Sequence, residues 1–435
     1  MLHQIGLNSA ADLFASIPAD LRLDRDLVTS PALSEMELLS GFERMAARNT
    51  AAHRPCFMGA GAYNHYIPTV VDHILSRSEF FTAYTPYQPE ISQGTLQVIF
   101  EFQTLVCQLT GMEVANASMY DGSTALAEAV LMAERVTKRR KVITCGAIHP
   151  EYLDVVNTYV QHASIEVEHV EFDSKTGQIS DELDQALDDK TAGIVVQSPN
   201  FFGCIEDVAT LAKKAHAAGA LLIVAITEAI SLGLLSSPGA CGADIVIAEG
   251  QSFGVPLSFG GPYVGLFATQ EKYARQIPGR LVGEAFDKQG RHGFVLTLAT
   301  REQHIRRERA TSNICTNEGL IALAATVYLE TMGRAGLQEV ARQCAQKTAY
   351  AARRIAELPG FSVPFTAPRF NEFLVRAPVD ARSLLTTVAR DHGITGGLPL
   401  SRYFPDRAND FLVCVTELNT RKDIDSLIDA IASSK

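Results

Sequence analysis

The stretch Asp244-Ile245-Val246-Ile247-Ala248-Glu249-Gly250-Gln251-Ser252-Phe253-Gly254-Val255-Pro256, continuing to Phe259-Gly260-Gly261-Pro262-Tyr263-Val264-Gly265, decides how this chain is read. It is an apolar strand, a polar turn, a Gly-Gly-Pro and a second apolar run. Upstream, further short strand-like runs occur at Lys141–Thr144, Ser164–Val170, Ala192–Gln197 and Ala220–Ala225, with helices such as Ala209–Ala218 between them. Apolar runs alternating with helices predict an α/β fold, a mainly parallel sheet covered on both faces. A helix over Leu96–Thr110 leads into it, followed by Val114-Ala115-Asn116 and then by Tyr120-Asp121-Gly122-Ser123-Thr124, which opens the helix Ala125–Glu134.

Outward from that sheet the pattern changes on both sides. Residues 1–92 read as an arm: short helices broken by Pro18 and Pro31, a helix over Ser34–Asn49, then an irregular Gly-, Pro- and Tyr-rich region. Ser34 followed three residues later by Glu37 is a capping box. Residues 93–318 form the large α/β domain. Residues 319–435 begin with a helix over Gly319–Thr331 and make a small α+β domain, with helices Leu337–Leu358, Ala381–Asp391 and Asp423–Ala432 and strands Glu372–Arg376 and Phe411–Thr416.

Composition bounds the function. A chain of 435 residues with 47% hydrophobic content can bury two cores. Its net charge of −11 argues against a nucleic-acid surface. The eight cysteines show no metal-ligand spacing and read as reduced, mostly buried small hydrophobes; no metal site is expected. With no signal-peptide pattern and no apolar run of about 18 residues, a cytoplasmic protein is expected and no membrane contact.

No lysine lies between Lys214 and Lys272. In large α/β enzymes that use pyridoxal phosphate, the setting of the quoted stretch is where a lysine amine attacks the cofactor's aldehyde and holds it as an imine. Gln251 stands there, and an amide nitrogen is not nucleophilic. Asp121-Gly122-Ser123-Thr124 enters a helix whose first turn would aim N–H groups and the Ser123 and Thr124 hydroxyls at one spot, as a phosphate cup does; ordinary capping explains it equally. Glu228 ends an apolar strand where such enzymes hold the pyridine nitrogen with an Asp, although a solvated loop carboxylate fits too. His149 follows a strand and could stack on a cofactor ring or be merely structural. The segments holding Tyr63 and Tyr66, and Tyr84 and Tyr87, read either as an arm packed across the domain surface or as loops lining a site or a partner. The polar run with Arg309, Thr311, Ser312 and Asn313 reads as a subunit-interface loop or a plain surface turn.

Taken in order, Gly59–Pro68, Thr85–Gly94, Met119–Ala127, Pro199–Asp207, Phe253–Gly265 and Arg301–Thr316 resemble the glycine cleavage system P-protein family, in its N-terminal-half form, subunit 1 of decarboxylating glycine dehydrogenase. The resemblance runs from about residue 2 to Ile431. It implies the aspartate-aminotransferase class of fold, the type I fold of pyridoxal-phosphate-dependent transferases. It also implies an oxidoreductase that decarboxylates glycine and passes the aminomethyl group to the lipoyl arm of the H-protein. In that family the other half carries His-Lys-Thr-Phe where this chain has Gly250-Gln251-Ser252-Phe253. The resemblance therefore implies pyridoxal phosphate on a lysine-bearing subunit 2, two copies of each chain, and no cofactor here. Ser123, Thr124, His149, Glu228 and Gln251 would be a vestige, with no catalytic residue on this chain alone. Two other classes stay open: a scaffold or regulator on the same fold, and an independent pyridoxal enzyme, which the lysine gap opposes.

Overall fold

In the computed structural model the stretch from Asp244 to Gly265 is a strand, a loop and the start of a neighbouring strand, Glu249 lying opposite Gly265. The structure describes residues 1–435 except Asp24, Ala52, His53 and Lys435, and the remaining side chains except those of Cys145 and His304. Seven strands form the central sheet: β1 (Val114–Ala115), β2 (Lys141–Cys145), β3 (Glu166–Val170), β4 (Thr191–Gln197), β5 (Leu221–Ile226), β6 (Ile245–Glu249) and β7 (Gly265–Thr269). Their spatial order is β1-β7-β6-β5-β4-β2-β3. From β3 to β6 the pairs are parallel, while β7 and β1 run antiparallel at one edge.

Every residue of β4, β5 and β6 is buried, which is why these strands show no polar alternation. Each fully buried Leu, Ile or Val, such as Leu222, Ile223 and Val224, contributes about 1.5–3 kcal/mol of apolar burial. The helices Gly122–Thr137 and Val208–Ala217 pack on this sheet. Winding reverses at β2, which has β3 on one side and β4 on the other, so the loops leaving β2, β4, β5 and β6 open along one edge where such folds place ligands.

A hairpin of β8 (Leu281–Phe286) and β9 (His292–Thr297) follows, which the sequence pattern did not suggest. Few β-branched residues mark it; its turn is held by Asp287, whose Oδ1 accepts the N–H groups of Gln289 and Arg291. The two helices expected after Glu318 form one element, Gly319–Ala356, interrupted at Gly333 (φ 56°), a left-handed position suited to glycine. Its first half packs on the large core through Ala325 and Tyr328, its second on the small core through Ala351 and Ile355. The small sheet is antiparallel, with β12 (Asp410–Cys414) between β10 (Glu372–Arg376) and β11 (Leu398–Pro399). The helices Ala381–His392 and Arg421–Ser433 bury Leu384, Val388, Leu427 and Ile431 in that domain's core.

The chain divides into two compact units, Met1–His53 and Arg54–Lys435. Within the first, the helix Glu35–Ala46 starts with the expected capping box: Ser34 Oγ accepts from Glu37 N, and Glu37 Oε2 from Ser34 N at 3.0 Å. The irregular region after Arg54 belongs to the second unit with all three sheets. Cys56, Cys107, Cys204, Cys241, Cys315, Cys344 and Cys414 are free thiols, Cys315 being exposed; Cys145 lies outside the described side chains. No described helix is long and apolar enough to cross a membrane.

Candidate functional site

At the C-terminal edge of β2, β4, β5 and β6 the structure brings together four of the residues singled out by the sequence, and every one of them is buried and engaged. Gln251 follows β6 and is 1% exposed. Its Oε1 accepts the N–H of Tyr63 at 2.8 Å, while Nε2 donates to the carbonyls of Tyr63 (3.0 Å) and Val255 (2.7 Å). The amide thus pairs with both backbone groups of Tyr63 as a strand would, which a lysine could not do because an ammonium has no acceptor.

The helix start does not form an open cup. The Ser123 hydroxyl donates to Asp121 Oδ1 at 2.7 Å, and Thr124 gives the same oxygen both its N–H (2.7 Å) and its hydroxyl (3.0 Å). The capping explanation therefore accounts for Ser123 and Thr124. The next free amide, Gly122 N, donates to Glu249 Oε2 at 2.9 Å, and Glu249 Oε1 accepts from Gln251 N and Val264 N. Burial, only partly offset by these N–H groups, pushes the Glu249 carboxyl up to about 8.

Glu228, after β5, is 1% exposed and not a solvated loop carboxylate. Its Oε1 accepts from Ile230 N; its Oε2 takes Asn371 Nδ2 (3.0 Å) and His65 Nε2 (2.9 Å). The other ring nitrogen, His65 Nδ1, lies 2.7 Å from Glu417 Oε2. Burial would lower the His65 pKa, but attraction and hydrogen bonding to Glu228 and Glu417 prevail and hold it at about 10. Cys344 completes a group of three possible metal donors with His65 and Glu417, within 4.8 Å of one another. Two short nitrogen–carboxylate contacts are those of an imidazolium, which has no lone pair to offer a metal.

His149 follows β2 and is 4% exposed. Its ring meets Phe201 edge-on at 4.9 Å, Nε2–H donates to the Ala60 carbonyl (2.8 Å) and Nδ1 accepts from Glu151 N, an assignment that follows from the network. Burial lowers its pKa, consistent with a neutral ring. Tyr63, 1% exposed, lies inside this site rather than on a surface. Its hydroxyl donates to Glu372 Oε2 at 2.7 Å, and Glu372, raised to about 7 by burial, also accepts the Ala60 N–H.

These side chains do not fit pyridoxal phosphate. Among the described residues no lysine amine is bonded to Gln251, Glu228, His149 or Tyr63, the Gly122 and Thr124 amides at the helix start are taken by Glu249 and Asp121, and Glu228 is held by an imidazolium. The sequence reading missed His65, Glu249, Glu372 and Glu417. Three of the four are carboxylates at or next to the ends of apolar strands (β6, β10, β12), which was the available signal.

The remaining candidates lie elsewhere. Tyr66, Tyr84 and Tyr87 are 56%, 80% and 59% exposed. Tyr84, Thr85 and Pro86 line a cavity of about 170 Å³ together with Thr316 and Asn317, so the tyrosine segment and the end of the polar run meet in space. Arg280 sits over the Tyr87 ring, 5.5 Å from its centroid. Arg309 and Asn313 are exposed and Thr311 half-buried, whereas the Ser312 hydroxyl turns inward to Glu128 Oε1 at 2.7 Å. Tyr63 thus belongs to the buried network, while the Ser312 hydroxyl is bonded to a separate buried carboxyl, that of Glu128.

The sheet order and the ligand edge define a type I fold of the pyridoxal-phosphate-dependent enzymes. Solved structures agree: a sphingosine-1-phosphate lyase of Burkholderia pseudomallei (TM-score 0.68, 15% identity, covering 97% of this chain and 94% of that one) and a NifS-like protein (TM-score 0.65, 15% identity, 87% and 98%) share the fold. The chain belongs to the glycine cleavage system P-protein family, whose model matches residues 1–431. Within it, the "Probable glycine dehydrogenase (decarboxylating) subunit 1" of Desulforamulus reducens is 54% identical over 428 residues, covering 98% of this chain and 95% of the relative. Its counterpart in Koribacter versatilis is 53% identical over 434 residues, covering 99% and 97%. A crystal structure of glycine decarboxylase (P-protein) in inhibitor-bound form superposes with TM-score 0.91 at 41% identity, covering 100% of this chain and 97% of that one. The function is accordingly that of subunit 1 of decarboxylating glycine dehydrogenase, an oxidoreductase subunit of the glycine cleavage system.

Proposed function

We propose that this chain is the half of the P-protein that carries no cofactor and that completes the site of a lysine-bearing partner, in an assembly of two copies of each. The observation that carries this reading is the Gln251 amide, paired with both backbone groups of Tyr63 where an imine-forming amine would have to stand. Pyridoxal phosphate then resides on the partner, which decarboxylates glycine and hands the aminomethyl group to the lipoylated H-protein. The test is direct. Incubated with pyridoxal phosphate and reduced with borohydride, the purified chain should give only scattered, substoichiometric lysine labelling. Stoichiometric modification of one lysine would overturn the proposal.

The partner-facing residues are Tyr66, Tyr84, Tyr87, Arg309, Thr311 and Asn313. Large aromatic side chains and an arginine left in solvent are the residue types that anchor interfaces. If they wall the neighbouring site, Tyr87→Ala and Arg309→Ala should each lower kcat/KM by about tenfold, equivalent to about 1.4 kcal/mol. Sedimentation of the mixed chains should show assembly less affected. Equal loss of assembly and turnover would reduce these residues to simple contacts.

A further inference from the structure

The carboxylate of Glu249 is placed like a bound anion. It is 3% exposed, and its two oxygens receive three backbone N–H groups from three separate segments: Gly122 at the helix start, Gln251 after β6 and Val264 before β7, at 2.9, 3.1 and 3.3 Å. Converging amides at a helix N-terminus favour negative charge. The enclosure is tight as well: a Cβ at Gly122 would come within 2.4 Å of the Tyr152 hydroxyl and 3.1 Å of Glu249 N. Nothing larger than glycine fits between the helix start and the end of β6, so the amide and the carboxylate meet directly.

We propose that the Glu249 carboxyl group fills a three-amide anion site, and that its occupancy of those amides, more than the missing lysine, keeps phosphate-bearing molecules off the chain. The idea rests on the reading that this half carries no cofactor, and supplies its physical means. Deleting the side chain beyond Cβ leaves a space close to that of a small oxyanion, lined by the same three N–H groups. The main opposing charge is Asp121, whose negative field also acts on Glu249. Asp121 caps the helix through Thr124 N, a bond that asparagine keeps through its carbonyl oxygen.

Inorganic phosphate is the probe, with phosphate binding to the purified full chain followed by calorimetry and by the thermal midpoint in phosphate against chloride. Wild type and Glu249→Gln, which fills the space without charge, should show no binding. Glu249→Ala should bind phosphate about tenfold or more tightly than wild type, because it frees the three amides, and more tightly still with Asp121→Asn added, because that removes the negative charge at the helix start. A Glu249→Ala chain that folds only in phosphate supports the proposal equally. The proposal falls if folded Glu249→Ala binds no better than wild type, if it folds at no phosphate concentration, or if wild type already binds. Because these measurements use neither partner nor lysine chemistry, such a result leaves the division of labour between the two subunits intact, and stoichiometric lysine labelling would overturn that division without touching the anion site.

Discussion

Gln251→Lys, assayed without a partner, should give glycine–CO2 exchange no higher than background, at least about 10³-fold below the two-chain enzyme, the scale lost when a catalytic group is absent. The wild-type chain alone should do the same. A new lysine would bury its ammonium where an amide made three hydrogen bonds, leaving the Tyr63 N–H without its acceptor, a penalty of about 1–3 kcal/mol. The surroundings would still be wrong. Glu249 and Asp121 occupy the helix-start amides, and Glu228 is committed to His65. The histidine that the resemblance implies beside the partner's lysine cannot simply be added, since a Cβ at Gly250 would lie 2.7 Å from Val264 Cγ1 and 3.0 Å from the Val264 carbonyl oxygen. Incorporation of labelled bicarbonate into glycine measures the outcome. Exchange by the single variant alone would mean that the lysine was the only loss, and full exchange by the lysine-bearing subunit alone would remove the need for this chain.

Removing the imidazolium should be the most damaging single change to stability. His65→Ala leaves Glu228 and Glu417 buried without the cation between them, and breaking a buried ion pair from one side costs about 3–5 kcal/mol. Glu228→Gln should cost less, because the amide oxygen can still accept from His65 and Asn371. The pH dependence has a definite sign. His65 is raised from 6.5 to about 10, so its contribution is whole below pH 6.5 and drains away as pH climbs towards 10. Glu417 faces opposing effects, burial raising its pKa, but the hydrogen bond and charge of His65 leave it below 4.5, so its contribution is present above 4.5 and is lost as pH falls. Denaturant unfolding of wild type should therefore show this network strongest between about pH 4.5 and 6.5, with a decline towards pH 10 steeper than in His65→Ala, where buried carboxyls such as Glu249 and Glu372 still titrate. A His65→Ala chain as stable as wild type at pH 6 would show that the network contributes nothing.

How much was legible beforehand follows the range of each interaction. The parallel strands could be read because unbroken apolar runs such as Leu221–Ile226 are local signals of a two-faced core. The capping box at Ser34 and Glu37 lies within one turn. The stretch without lysine between Lys214 and Lys272 is a fact of composition that needed no coordinates. Hairpin β8–β9 was invisible because its pairing rests on an Asp turn and few β-branched residues. Tyr63 read as a loop aromatic since its neighbours are Gly, Ala and Asn, and only folding sets it 1% exposed between Gln251 and Glu372. The sequence by itself determined the fold class and the lack of any lysine from residue 215 to 271, because periodicity and composition are local. What fills the place left behind was decided by tertiary structure alone. Glu249 reaches an amide 127 residues away, and His65 bridges carboxylates 163 and 352 residues distant. Such partners are chosen by where the chain crossings bring their ends together, and no spacing along the chain records that.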